Sequence, residues 1–401
     1  MAVRHSGKNQ IIAKQENITL LKSFLYRRGP TSRAEIAEEL GLTPPTITNI
    51  TAELIQAGIL QEIREDNTDI VRKVGRQPIR IDFVADGGYA LGISLGRDKT
   101  HYCILDLKGN CVFKKEMNVM PDSYEEMLSV LYREIGKIRA EKADIWNKLI
   151  GIGISVPAII DAHAGRICQI EEERASWQGR VLSEDVHAEF GVPVRTDNNV
   201  RARTMTLALF CPEVIRNYGT FVLCYASWGI AGPMIVQERS VRGEYGAAGE
   251  IGHMVMDPES GRTLEEFSSL RSVLQECRRA MAEGKTTVLQ KLCRDPEELT
   301  IEQIHAAQEA QDPAVQKIMK KAMYYIGIAL SNIISFMNPD LIVLGGPMFV
   351  REENRAYAEQ VMRAHAYSAD IDHTAVRYVE FDAYGGADAA AAACLDKFFV
   401  R

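Results

Sequence analysis

Leu149–Val156, LIGIGISV, is a strand-length run that is apolar throughout. Such a strand belongs in a sheet covered on both faces, which points to an α/β fold. The neighbouring patterns agree. Residues 92–96 begin a strand, residues 101–107 (HYCILDL) continue as a second, and Lys108-Gly109-Asn110 turns the chain into a third at residues 111–116. Helical spacing of apolar residues then predicts a helix over residues 124–141. A short strand follows at residues 192–195. The pattern recurs downstream, with strands at residues 220–226 and 232–237, a turn at 240–243, and a helix over 314–337 running into a strand at 341–344 (LIVL). Two meander-plus-α/β halves in tandem predict a duplicated two-lobed fold with a cleft between the lobes. The halves share no scorable sequence repeat, so the duplication rests on element order.

A chain of 401 residues leaves room for two or three domains at roughly 100–200 residues each. Its longest apolar stretch, residues 326–350, is broken by Asn332, Asn338, Pro339 and Asp340, short of the roughly 18 uninterrupted residues of a membrane span. The N-terminus, MAVRHSGKNQIIAKQEN, carries basic residues but no apolar h-region, which predicts a cytoplasmic protein without a secretory signal. The 8 cysteines are irregularly spaced and none forms C-x-x-C. That argues against a disulfide framework and for small buried hydrophobes in a reducing compartment.

The first 84 residues read as a winged helix-turn-helix. Ile18, Leu21, Phe24 and Leu25 share a face of a helix over residues 14–28, which Gly29-Pro30 ends. Ser32-Arg33-Ala34-Glu35 has the spacing of a capping box and starts a second helix, for which Gly41 is a C′ residue. Thr43 caps a third, with Pro44 at its first position. On this third helix Ile47, Ile50 and Leu54 form the buried stripe, while Thr46, Thr48, Asn49 and Thr51 lie off it. Short polar side chains let a helix approach base edges, and Asn can read adenine in the major groove. Residues 59–84 suit two strands around a turn at Glu65-Asp66-Asn67, with Arg64, Arg72, Lys73, Arg76 and Arg80 available to phosphates. The alternative is a three-helix packing module with solvated charges. Net charge is −7, but residues 1–85 hold 12 Lys and Arg against 10 Asp and Glu, and the remainder holds 35 against 44. A slightly basic small module joined to an acidic body suits local DNA contact.

Several segments of the chain resemble the ROK (repressor, open reading frame, kinase) family, in its repressor form. GAAGEIGH (residues 246–253) is similar to the family's sugar-site signature. IGIALSNIISFMNPDLIVLGG (326–346) resembles its helix–strand–diglycine segment, TDNNVRA (196–202) its N-D-x-N-x-x-A segment, Val156-Pro157-Ala158 its V-P-G turn, and Gly75-Arg76-Gln77-Pro78 its wing. The resemblance implies a winged helix-turn-helix at residues 1–84. It also implies an actin-like, ribonuclease-H-like sugar-kinase fold at residues 85–401, with its second lobe from about residue 205 and the C-terminal helix packing back. It implies a transcriptional regulator, most simply a repressor of carbohydrate-utilisation genes. Its partners would be a double-stranded DNA operator, contacted by Thr46, Thr48, Asn49, Lys73 and Arg76, and a second copy of the chain in a dimer or tetramer.

A ROK kinase carries D-x-G-G-T after its first strand; the matching residues here are Ser94-Leu95-Gly96-Arg97-Asp98. Its second phosphate turn, G-x-G-x-G, reads Gly229-Ile230-Ala231-Gly232-Pro233, where Pro233 removes a donor. The base position is kept as Asp197. The resemblance therefore implies a vestigial base, no enzyme activity and no cofactor, with an ATP-dependent sugar kinase as the alternative. Asp197, Asn199, Glu250, His253 and Glu265 would line the sugar site, because carboxylates accept hydroxyl hydrogen bonds in pairs. Glu250 and His253 also admit a structural pairing, and Thr196 replaces the family's Asn. The family's Cys-rich zinc motif is replaced by MVMDPESGRTLEEFSS after His253. This predicts no metal and a loop held by packing alone. A further alternative is a large module that has lost sensing and only dimerises.

Overall fold

The computed structural model describes residues 3–64, 79–97, 99–161, 164–237, 239–286, 288–367 and 373–401. The chain forms two compact units, Met1–Arg216 with Ala383–Arg401, and Asn217–Asp382.

The first unit opens with helix α1, Val3–Arg28, which begins well before the expected residue 14. Leu21 and Leu25 are buried on it. Helices α2, Arg33–Leu40, and α3, Pro44–Gln56, follow as the caps dictate. Ser32 and Glu35 form both halves of the capping box, and Gly41 closes α2 with φ 63°. Strands β1 (Thr31–Ser32), β2 (Leu60–Ile63) and β3 (Arg80–Phe83) make one sheet in the order β1-β3-β2. The β2–β3 pair is antiparallel, with Leu60 opposite Phe83 and Ile63 opposite Arg80, as a wing requires. The expected turn at Glu65 to Asn67, together with Arg72, Lys73 and the 75–78 segment with Arg76, lies outside the described residues. The two-residue β1 was not expected; it is too short to show a period.

Next come β4 (Tyr89–Leu95), β5 (Lys99–Asp106) and β6 (Cys111–Asn118), then helix α4 (Tyr124–Glu141) and strand β7 (Leu149–Val156). With the strand Val194–Asn198 outermost, the sheet runs 194–198, β7, β4, β5, β6. The meander strands are antiparallel, and β4, β7 and Val194–Asn198 are parallel.

The two faces of this sheet differ in residue size. Leu91, Ile93, Leu95, Ile152, Ile154 and Val156 point one way and form a single buried cluster with Met127, Leu131 and Ile135 of α4. Gly92, Gly151, Gly153 and Ser155 point the other way, because side chains alternate along a strand. On that face lies the helix Gly385–Leu395, GGADAAAAACL. A Cβ on Gly92 would strike the Ala387 carbonyl, one on Gly153 the Ala390 carbonyl, and one on Gly151 the Cys394 sulfur. These helix positions are spaced at i, i+3 and i+7, so one helix face meets the glycine track. The Ser155 hydroxyl donates to the Gly386 carbonyl at 3.0 Å. From Ile150 to Val156 the strand alternates large and small: large side chains reach α4, and the small positions seat an alanine helix.

The second unit repeats the order. Its sheet runs Arg239–Ser240, Met234–Val236, Thr220–Ala226, Leu341–Gly345, Ala375–Val379. The first three strands are antiparallel and the last three parallel. The helix Pro313–Met337 is capped by Asp312, starts on proline, and ends at Asn338 in the left-handed region.

The glycine track yields a stability prediction. Gly153→Ala places a methyl into backbone and should lower stability by about 1–3 kcal/mol through overpacking. Thermal unfolding of the variant measures it, and an unchanged melting temperature contradicts the seating described.

Candidate functional site: a recognition helix and a kinase-like body

The exposed face of α3 is built by its caps. Thr43 accepts from the Thr46 amide and Pro44 opens the helix. Ile47, Ile50 and Leu54 are buried, and Thr48 and Asn49 are exposed beside Ala52, Glu53 and Gln56. Thr46 is half-buried and its hydroxyl lies 2.8 Å from that of Thr43. Thr48 donates its hydroxyl to the Pro44 carbonyl at 2.9 Å, which turns its methyl outward. Thr51 departs from expectation: it is fully buried, donates to the Ile47 carbonyl and accepts from Arg33 Nε. It pins α2 to α3 instead of facing out. No Lys or Arg occurs in PPTITNITAELIQ, so any cationic phosphate contact must come from outside α3.

In the body, the segment matching a phosphate cradle is engaged through its carbonyls and through Arg97. Arg174, only 4% exposed, donates to the Gly96 carbonyl at 2.8 Å and the Leu95 carbonyl at 3.4 Å. Its guanidinium lies over the Trp177 ring. Arg97 is ion-paired with Glu171. A cradle needs free amides facing phosphate; here carbonyls face a guanidinium. Nothing in EEERASW (171–177) signals this role, since the partners are backbone atoms far away in sequence.

The second turn is also engaged. Residues 230 and 231 pair back on the strand Thr220–Ala226. The Ile230 amide donates to Glu265 Oε1 at 2.7 Å, and the Gly232 amide to the Gly249 carbonyl at 2.7 Å. A Cβ at Gly229 or Gly252 would strike the Glu265 carboxylate, and one at Gly232 the Ile251 side chain. The glycines of GAAGEIGH and of this turn thus interlock with each other.

Within the Asn217–Asp382 unit, Glu265 sits against the turn Ile251–His253 that carries the other candidates. That turn is a 3-10 helix, and the His253 amide donates to the Glu250 carbonyl at 3.2 Å. Residues three apart eclipse on such a turn, so Glu250 and His253 share a face. Glu250 is half-buried and His253 exposed.

Asp197 and Asn199 belong to the other unit. Asp197 is fully enclosed. Its Oδ2 accepts from Arg195 Nη2 at 2.6 Å, and its Oδ1 from Arg201 Nε at 3.0 Å and the Asn198 amide at 2.9 Å. Burial pushes the Arg195 guanidinium down, but Asp197 and Asp396 outweigh it and hold the pKa above its usual value. Asp197 is thus ion-paired on both sides and buried, which makes it a structural anchor for Arg195 and Arg201. The Asn198 side chain caps the helix Asn199–Phe210 and donates to the Ala158 carbonyl, so it cannot replace the amide lost at Thr196. Asn199 stands half-buried on the first helical turn.

The residues present do not fit a zinc ion. Among the described residues, no group of three or more His, Cys, Asp or Glu side chains is placed to hold a metal. The replacement loop is held by more than the packing expected for it. Val255–Asp257 and Arg262–Thr263 pair as a hairpin, Thr263 and Glu266 form a capping box, and Arg262 lies 3.9 Å from the Phe267 ring centroid.

Residues 23–67 match the MarR family profile. The xylose repressor of Caldicellulosiruptor bescii is 25% identical over 91% of this chain and 92% of that protein. The transcriptional dual regulator NagC of Escherichia coli is 24% identical over 84% of this chain and 82% of that protein. A ROK family transcriptional regulator homologous to the E. coli Mlc protein has the same fold, with a TM-score of 0.80, 23% identity, and coverage of 97% of this chain and 98% of that one. A ROK family glucokinase from Streptomyces griseus matches at a TM-score of 0.64 and 18% identity, over 76% of this chain and 98% of its own. The ROK family profile itself spans residues 90–392, and the chain belongs to the ROK family.

Proposed function

We propose that this chain is a DNA-binding transcriptional repressor whose kinase-like body responds to a sugar or sugar derivative without phosphorylating it. The observation that carries the non-catalytic half is the state of the two phosphate segments: the first has its Leu95 and Gly96 carbonyls held by Arg174, and the second donates its Ile230 and Gly232 amides to Glu265 and Gly249. Asp197, between Arg195 and Arg201, adds that the base position is neutralised. The regulatory half is supported by the capped, polar α3 in a winged module and by relatives named as a xylose repressor and an N-acetylglucosamine repressor. No described helix is long and apolar enough to cross a membrane, consistent with an operator-bound protein of the cytoplasm.

On this reading Thr46, Thr48 and Asn49 face base edges, and Lys73 and Arg76 face phosphates. A homodimer, or a tetramer of two such pairs, supplies the second half-site that one small module needs for selectivity. Glu250, His253 and Glu265 contact the effector. The names of the relatives make xylose and N-acetylglucosamine the first sugars to try.

Asn49→Ala should weaken binding to a selected duplex by about 1–3 kcal/mol and relax specificity at one base pair. Fluorescence anisotropy at several salt concentrations measures it, with a steep loss of affinity as salt rises; a flat salt response contradicts the DNA reading. A thermal-shift screen of neutral, amino and acidic sugars should find a stabilising ligand, and Glu250→Ala and His253→Ala should abolish the shift. No shift with any sugar would remove those residues from the effector site. ATP–Mg with the same sugars should yield no sugar phosphate; turnover abolished by Asp197→Asn would establish the kinase instead.

A further inference from the structure

Lys22 is the one buried cation among the described residues of the winged module. It lies on α1, is 8% exposed, and donates from Nζ to the Phe399 carbonyl at 2.7 Å. The ammonium also stands 4.0 Å from the Phe399 ring centroid. Around it, the Tyr26 hydroxyl donates to the Leu107 carbonyl at 2.9 Å. The Tyr26 ring packs on Phe83 and edge-on to Phe210, and Phe83 meets Phe399. Lys108 pairs with Asp82 at 2.5 Å. The partners Leu107, Lys108, Phe210 and Phe399 all belong to the α/β body, so this is where the winged module is fastened to it.

The C-terminal turn is built to offer that carbonyl. Asp396–Val400 is a π-helical turn continuing the alanine helix, and the last carbonyls of a helix have no amide partner within it. Lys22 supplies an ammonium donor in its place, from another domain. Asp396, at the start of the turn, is tied to Arg401 and, at 3.7 Å, to Arg195, which also donates to the Ala393 carbonyl. The turn is therefore anchored to the strand Val194–Asn198 before it reaches Lys22.

Burying an ammonium is costly unless it is hydrogen-bonded. Burial pushes Lys22 down to about 8, the mark of a charge held in apolar surroundings. Packing alone would be met more cheaply by methionine. A directional donor instead fixes the angle of α1, and through α1 that of α3.

We propose that Lys22 is a positioning residue for operator binding. It touches no DNA; it holds the winged module on the C-terminal turn so that two copies present their α3 helices at one fixed spacing. A loosened module still reads one half-site, but a second half-site is then bound at a lower effective concentration.

The inference rests on the DNA-binding, homo-oligomeric reading, and the test separates the two. The full chain is used to select a duplex from random sequence, and the same duplex is made with one half-site scrambled. If the wild type does not prefer the intact duplex, the operator reading fails, and with it the role of Lys22. If it does, Lys22→Met should lose about tenfold for the intact duplex, with less than about a twofold change on the scrambled one. Lys22→Arg should restore the preference, and Phe399→Leu, which keeps the carbonyl and removes the ring, should fall between. Should Lys22→Met not fold, Phe399→Leu carries the same comparison. Equal losses on both duplexes, or no loss on either, would overturn the proposal, as would a Lys22→Arg variant that behaves like Lys22→Met.

Discussion

The structure depends on an alanine helix seated against glycines. Gly92, Gly151 and Gly153 leave one face of the first sheet flat, and Ala387, Ala390 and Cys394 lie on it at backbone distance. Side chains of ordinary size on either surface would separate them. The close seat fixes where the chain ends, so Asp396 reaches Arg195 and the Phe399 carbonyl reaches Lys22. A contact between the smallest side chains thereby governs how a DNA-binding module at the other end of the sequence is held.

The same economy of backbone groups distinguishes this body from a working phosphate site. Phosphate transfer needs unengaged amides and an available carboxylate. Here Arg174 takes the carbonyls of the first segment, Glu265 and Gly249 take the amides of the second, and two arginines enclose Asp197. Glycines that would admit phosphate in a kinase here admit Glu265 and Ile251.

Much of this was legible in sequence where the cause is local. The capping box at Ser32 and Glu35, the Thr43 cap with Pro44, and the limits of α4 and β7 follow from neighbouring residues and were read directly. The repeated sheet order followed from strand patterning. Long-range pairing was not legible. Thr51 looks like its exposed neighbours until Arg33 is placed beside it. Arg174 carries no motif, because its partners are carbonyls brought close only by the fold, and the same holds for the reach of Arg195 to Ala393 and Asp396. Lys22 reads as one more cation of a basic module, and only burial separates it from residues that meet phosphate. The alternation in LIGIGISV was visible, but that its glycine side receives a helix required the helix.

The most direct test of a sugar-responsive repressor is DNA affinity with and without sugar. A ligand that regulates must bind the DNA-competent and DNA-incompetent states unequally. Anisotropy of a selected, labelled duplex should be titrated with the full chain across a sugar panel, without nucleotide. One sugar should shift the dissociation constant by about fivefold or more, and DNA should shift that sugar's affinity by the same factor. An operator affinity identical in every sugar, beside formation of a sugar phosphate once ATP is added, would contradict the account.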